Sequence, residues 1–213
     1  MFSIINVFLD QVDNRVLNLF LVPDIRKNFN TGQDYFNSEI SRFLLTDYQK
    51  NELLKYIEKS GTKLISTDIR IIDPVPSYYV INATVIVFDD VDTSIIKKDI
   101  LNNLGSFFIQ NTRRSRIPKS DLIKIIEEVN GVDSVAANIV SKNNEISKIA
   151  NPNARDISID EFNDIITLEN ELPIIRGGFS DRYGNVYSEG ITEESLGPVN
   201  IQIKEIVPRP KII

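Results

Sequence analysis

From Ile65 to Val140 the chain reads ISTDIRIIDPVPSYYVINATVIVFDDVDTSIIKKDILNNLGSFFIQNTRRSRIPKSDLIKIIEEVNGVDSVAANIV. The spacing of its apolar residues changes period twice, and that change decides the fold. Ile65, Thr67, Ile69 and Ile71 alternate, and so do Ile81, Ala83, Val85 and Val87. Alternation gives a strand one buried face. Asp73-Pro74-Val75-Pro76 separates the two runs. Ile96, Ile100, Leu104, Phe107 and Phe108 then share one face of a helix, as do Leu122, Ile125, Ile126 and Val129. Gly131 is expected to stop the second helix in a left-handed conformation. Val135, Ala137 and Ile139 alternate in a last strand. Strand, strand, helix, helix, strand predicts an α+β unit, a small sheet with two helices on one face. Ile69, Val85, Leu104, Leu122 and Val135 are expected to share its core.

The flanks are less regular. Ile4–Leu9 and Val16–Val22 are β-prone runs that Asp13-Asn14 can turn into a hairpin. Asp34–Leu45 suggests a short helix carrying Phe36, Ile40 and Phe43. Thr46 and Gln49 have capping-box spacing and open a helix with Leu53, Leu54 and Ile57 buried and Gly61 as its stop. After Lys142 turn signals multiply, at Asn151-Pro152-Asn153, Gly177-Gly178 and Leu196-Gly197-Pro198. Ile157–Leu168 suggests one or two helical turns, and Val199, Ile201 and Ile203 a final strand. Three segments result: a strand-helix segment over 1–61, the α+β core over 62–142, and a loop-rich tail over 143–213.

The composition removes whole classes of chemistry. The 213 residues include no cysteine and no histidine. Disulfides, a Cys/His zinc site, a Ser-His-Asp triad and a cysteine nucleophile are all impossible. A net charge of −6 argues against general nucleic-acid binding. No apolar run approaches the roughly 20 residues of a membrane span. Met1-Phe2-Ser3-Ile4 lacks the basic stretch that opens a signal peptide.

Four features remain as candidates. Asp89, Asp90 and Asp92 cluster after a strand, but lack the glycine and distal glutamate of a calcium loop, and Asp92 is explained as a helix N-cap. Arg113, Arg114 and Arg116 form the basic cluster and suit a protein interface or a solvated loop. Gly177-Gly178 and Gly184 match no phosphate-binding pattern. Asp160, Glu161, Asp164, Glu169 and Glu171 read as a solvated acidic face. No catalytic residue, cofactor or metal ligand is therefore predicted. In the tail, Arg176 and Arg182 flank Phe179 and Tyr183, the mix that anchors protein interfaces. Ile174, Ile175 and Tyr187 add apolar surface. The tail is expected to lie largely against other chains, since ordering each loop residue costs about 1–2 kcal/mol.

The order of these motifs resembles the baseplate J-like family of contractile-tailed phages. The matching residues are Ile71-Ile72-Asp73-Pro74, the strand Val80–Phe88, the helix ending Phe107-Phe108, Ile117-Pro118-Lys119-Ser120-Asp121-Leu122, Ile125-Ile126 and Val129–Val135. Val16–Pro23, Leu45-Thr46 with Lys50 and Leu53-Leu54, Leu172–Arg182 and Val199-Asn200-Ile201 resemble, more narrowly, the C-terminal portion of the T-even-type baseplate wedge subunit. The long N-terminal portion of that subunit has no counterpart, which implies a shortened or split version. The resemblance implies a structural virion protein of the tail baseplate, assembled in the host cytoplasm and without catalysis. Its implied partners are itself, as a homodimer, and other wedge proteins in a ring around the hub, with no nucleic acid and no membrane. A rival reading is a ferredoxin-like small-molecule-binding regulatory domain, because Val129–Val135 also looks like the helix-to-strand turn of such modules. A third, a hydrolase using Asp89, Asp90 or Glu171, lacks a convergent motif.

Overall fold

The computed structural model describes residues 4–11, 15–36, 38–61, 68–111, 115–141, 159–175, 179–180, 186–187 and 199–210. In chain order, β1 (Ile4–Gln11) and β2 (Val16–Pro23) precede α1 (Gly32–Phe36), α2 (Asp47–Lys59) and β3 (Asp68–Ile72). Then come β4 (Val75–Phe88), α3 (Thr93–Gln110), β5 (Arg116–Ile117), α4 (Lys119–Glu127) and β6 (Val132–Ser141). Among the described residues the later elements are strands: β7 (Ile165–Ile166), β8 (Glu171–Ile175), β9 (Phe179–Ser180), β10 (Val186–Tyr187) and β11 (Val199–Val207). Short 3-10 turns at Ile25–Asn28 and Ile40–Phe43 flank α1. The protein is α+β, as its apolar periods predict.

β4 organises the main sheet. On one side β6 runs antiparallel to it, pairing Ile81 with Ile139, Ala83 with Ala137 and Val85 with Val135. Ile81, Ala83, Val85 and Val87 are buried in one cluster with Ile96, Ile100, Leu104 and Phe108 of α3 and Leu122 and Ile126 of α4. Each of the larger side chains contributes about 1.5–3 kcal/mol by leaving water. Val135 packs partly buried against the same cluster. Alternation in the strands and the i, i+4 stripe of α3 therefore meet as the sequence predicts.

Three expectations need correction. Ile69 is not in this core: β3 pairs in parallel with β2, matching Leu17 with Ile69 and Leu19 with Ile71. It joins a second, smaller cluster built on Leu19, Leu21 and Leu45, beside Leu53 and Ile57 of α2. The strand after Asp73 starts earlier than expected, at Val75, and includes Pro76. There β4 has β8 on one side but β6 begins only at Tyr79, so a residue without an N–H is tolerated. Gly131 does not end α4 directly. The helix ends at Glu127, and Gly131, at φ 99°, sits in the turn that Val132 N–H closes onto the Val129 carbonyl at 3.1 Å. Any Cβ there would lie 3.0 Å from Ile96 Cδ1 and Val91 Cβ.

The N-terminal segment follows its signals in part: α2 forms, but Leu53, Leu54 and Ile57 are half-buried rather than buried, and the helix expected over Asp34–Leu45 is replaced by α1, which starts at Gly32, and the separate 3-10 turn at Ile40–Phe43. β1 and β2 form the antiparallel hairpin; its turn, 12–14, falls outside the described residues. Thr46 accepts from Gln49 N–H while the Gln49 side chain accepts from Thr46 N–H, a complete capping box, and Gly61 follows α2 at φ 69°. The segment then joins the main core through aromatic rings. Phe29, Phe36, Phe43 and Phe108 surround Tyr35 with centroids 5.2–6.0 Å away. Burial pushes the Tyr35 phenol pKa above its ordinary value, and its oxygen accepts from Ile175 N–H at 3.4 Å. α1 meets α3 at Gly32 and Gly105, where a Cβ on either glycine would overlap backbone of the other helix.

The tail contributes to this core. Tyr79 pairs with Ser141 on one side and Ile175 on the other, so β8 lies on the edge of β4 opposite β6. β11 continues along that same edge, pairing Val199 with Ile81 through Val207 with Phe88. Both run parallel to β4. All of Glu171–Ile175 is buried, so Ile174 and Ile175 serve the chain's own core rather than a partner. Ile175 is opposite Tyr79 and Val199 opposite Ile81, two positions of β4 further on, with Val80 between.

Candidate interface around Arg116

The basic cluster predicted from sequence lies between α3 and α4. Arg113 and Arg114 fall outside the described residues; Arg116 opens β5, which pairs with β7 through Arg116–Ile166 and Ile117–Ile165. Its side chain is 52% exposed and its guanidinium is committed to two carboxylates. Nε donates to Asp164 at 2.9 Å, and the same head group reaches Asp164 at 2.7 Å and Asp160 at 3.2 Å. Phe162, 63% exposed, lies with its ring centroid 5.9 Å from the guanidinium carbon.

Of the acidic stretch read as a solvated face, Glu161 and Glu169 are exposed, but Asp160 is half-buried and Asp164 and Glu171 are buried. Asp164 is buried and also accepts from Lys119 N–H at 2.7 Å. Lys119 is the first residue of α4, whose N-cap, Pro118, offers no side-chain acceptor. Asp164 therefore caps α4 from a distant part of the chain, where a negative charge also suits the helix dipole. Asp160 accepts from the N–H groups of Phe162 and Asp164, both at 2.9 Å. Such local side-chain bonds compete with helix, and in place of the expected turns of helix this segment forms β7 and a bridge from Ile159 to Ile165. Asn163, at φ 64°, aims its amide at β6: Ile139 N–H donates to Oδ1 at 2.7 Å and Nδ2 donates to the Ile139 carbonyl at 2.9 Å. A side chain thus occupies the place of a neighbouring strand. Glu171, also buried, accepts from Leu168 N–H at 2.9 Å.

Asp164→Ala should destabilise the fold by about 1–3 kcal/mol, chiefly by leaving Lys119 N–H without its acceptor. The half-exposed ion pair with Arg116 adds little. Asp164→Asn keeps an acceptor and should recover part of the loss. Urea unfolding of both variants measures this, and an unchanged midpoint for Asp164→Ala would rule out the remote cap.

The other candidates separate. Asp92 caps α3, accepting from Ser94 N–H at 2.7 Å and the Ser94 hydroxyl at 2.6 Å. The hydroxyl, and then the backbone, hold the Asp92 carboxyl below its ordinary pKa. Asp90 pairs with Arg209 at 2.8 Å, and Asp89 N–H donates to the Val207 carbonyl at 3.0 Å. Arg209 also lies over the Phe88 ring at 4.7 Å. Among the described residues no three acidic side chains gather as a metal site. Of the predicted tail residues, Arg176, Arg182 and Tyr183 fall outside the described residues; Phe179 is in β9, opposite Tyr187 of β10. Sequence reasoning missed Asn163 and placed Asp164 on a solvated face. The one available signal was an asparagine, which tolerates positive φ, inside an acidic i, i+4 pair.

No family model matches this sequence, and a search of curated proteins finds no match.

Proposed function

We propose that this chain is a structural wedge component of a contractile-tail baseplate, without catalytic activity, that pairs with itself and joins neighbouring wedges into a ring around the hub. The observation that carries the reading is where the resembling motifs fall. The strand Val80–Phe88 is the body of β4, and Phe107-Phe108 closes α3. Ile117-Pro118 opens α4, and Val129–Val135 turns the chain into β6. The motifs thus mark element boundaries of one continuous core, which suits an ordered scaffold.

The test uses a tagged copy expressed in cells that produce the tailed particles. The tag should co-purify with intact particles and label the tail tip in electron micrographs. Recovery of the protein solely outside particles would sink the reading. Sedimentation velocity on the purified chain checks the pairing, for which a dimer is expected.

A further inference from the structure

The two outer edges of the main sheet are finished differently. At β6 the Asn163 amide takes both backbone groups of Ile139. Among the described residues, no strand pairs with the outer side of β11. The ladder shows which groups that edge presents. Because Ile139 turns both groups away from β4, its pair with Ile81 is a non-hydrogen-bonded rung, and Ile81 points its own N–H and C=O toward β11. Ala83, Val85 and Val87 do the same by alternation. The bond from Asp89 N–H to the Val207 carbonyl keeps that phase. In a parallel ladder the residue opposite an inward-pointing one faces away. Ile201, Ile203 and Ile206, opposite Ala83, Val85 and Val87, therefore offer their N–H and C=O to the open edge.

Their side chains share the face of Ala83, Val85 and Val87, the face beneath α3. Ile201 and Ile203 pack partly buried against the core, while Ile206 is 56% exposed. A trough of about 1120 Å³ follows the edge, with Thr93 and Lys97 of α3 among its lining residues. Lys97 and Lys204 are the charged residues that line it. Neither is in an ion pair among the described residues. Glu205 is in register with Ile86, on the opposite face. On a chain of net charge −6 this edge is locally positive.

We infer that the β11 edge is a strand-acceptor site for an extended, acidic segment of another protein chain. The incoming strand takes the outward backbone groups of Ile201, Ile203 and Ile206. On the face beneath α3 its side chains lie over Ile206 and bring carboxylates to Lys97, with Lys204 alongside on the same edge. Main-chain bonds supply affinity in such strand addition, and alternate side chains supply specificity. A second copy of β11 fits less well. Antiparallel pairing about a two-fold axis through Lys204 or Glu205 sets like charges opposite each other, which is unfavourable. The inference rests on this edge alone and stands independently of the baseplate reading.

The test measures binding by fluorescence anisotropy of a short peptide alternating valine with glutamate, against one alternating valine with lysine. The wild-type chain should bind the glutamate peptide at least tenfold more tightly. Lys97→Glu with Lys204→Glu should invert that order. Ile206→Pro should abolish binding of either peptide, because it removes an outward N–H while leaving the β4 ladder intact. The lysine pair is exposed, so the charge variant decides the matter even if Ile206→Pro fails to fold. No binding to the wild type, or binding indifferent to the charge reversal, overturns the proposal. So does a wild-type dimer that Ile206→Pro converts to monomer, since the edge would then belong to a second copy.

Discussion

Gly105→Ala should destabilise the protein by about 3 kcal/mol or more, beyond the usual range for one added methyl group. Helix propensity alone predicts the opposite sign, a gain of about 1 kcal/mol for alanine over glycine inside a helix. Packing decides. A Cβ on Gly105 would fall on the carbonyl of Gly32, and one on Gly32 on the carbonyl of Asn102. These are backbone atoms, which no rotamer change can move. α1 is further fixed there by Gly32 N–H donating to the Asn102 side chain at 3.0 Å. The helices must part, and Tyr35 and Phe36 of α1, buried in the main core, must move with them. Urea unfolding gives the size of the effect. Gly61→Ala is the control: nothing lies within 4 Å of its Cβ position, so only its φ of 69° resists. A Gly105→Ala loss no larger than the Gly61→Ala loss would mean that α1 and α3 can separate freely.

Replacing residues 176–198 by a single serine should leave the fold standing and, on the proposed self-pairing, remove the dimer. Ile175 and Val199 pair with Tyr79 and Ile81, so their positions on the edge are about 7 Å apart. One residue opposite Val80 spans that gap and turns β8 and β11 into one strand. Closing a loop of this length costs about 3 kcal/mol of chain entropy, which the shortened chain recovers. The melting temperature should therefore hold or rise. Loss of self-pairing is the result expected if the interface proposed for Arg176, Phe179, Arg182 and Tyr183 holds the two copies together, since all four are removed. Calorimetry and sedimentation velocity read the two halves separately. A variant that does not fold would make the segment part of the core, and a variant that still dimerises would place the interface elsewhere.

Much of the core was legible because its signals are local. Alternation at Ile81–Val87, the stripe Ile96-Ile100-Leu104 and the Thr46–Gln49 box each act within a few residues. What escaped depends on partners far along the chain. The character of β3 is plainly that of a strand, but nothing in Ile69 or Ile71 says that its neighbour is β2 and not β4. Glu171–Ile175 is short and follows an acidic stretch, so its burial became visible only with β4 beside it. Asp164 looked solvated because the N–H it caps belongs to Lys119, and Arg116 looked free because its carboxylates come from the next segment. Loop-rich composition was also misleading: turn residues mark where the chain bends, and they do not exclude short strands between the bends from the core.

The central position of β4 has a consequence for synthesis. Its edge toward β6 can be satisfied once Ser141 has emerged, but its other edge waits for β8 and then β11. At about 5–20 residues per second of translation, that delay is on the order of ten seconds or less. Throughout it a long strand rich in valine and isoleucine presents unsatisfied backbone to anything nearby, the condition under which nascent chains aggregate. A ribosome stalled before Val199 would leave a product with half of that edge bare. Such fragments should be insoluble or chaperone-bound, whereas loss of the few residues beyond Arg209 should pass unnoticed.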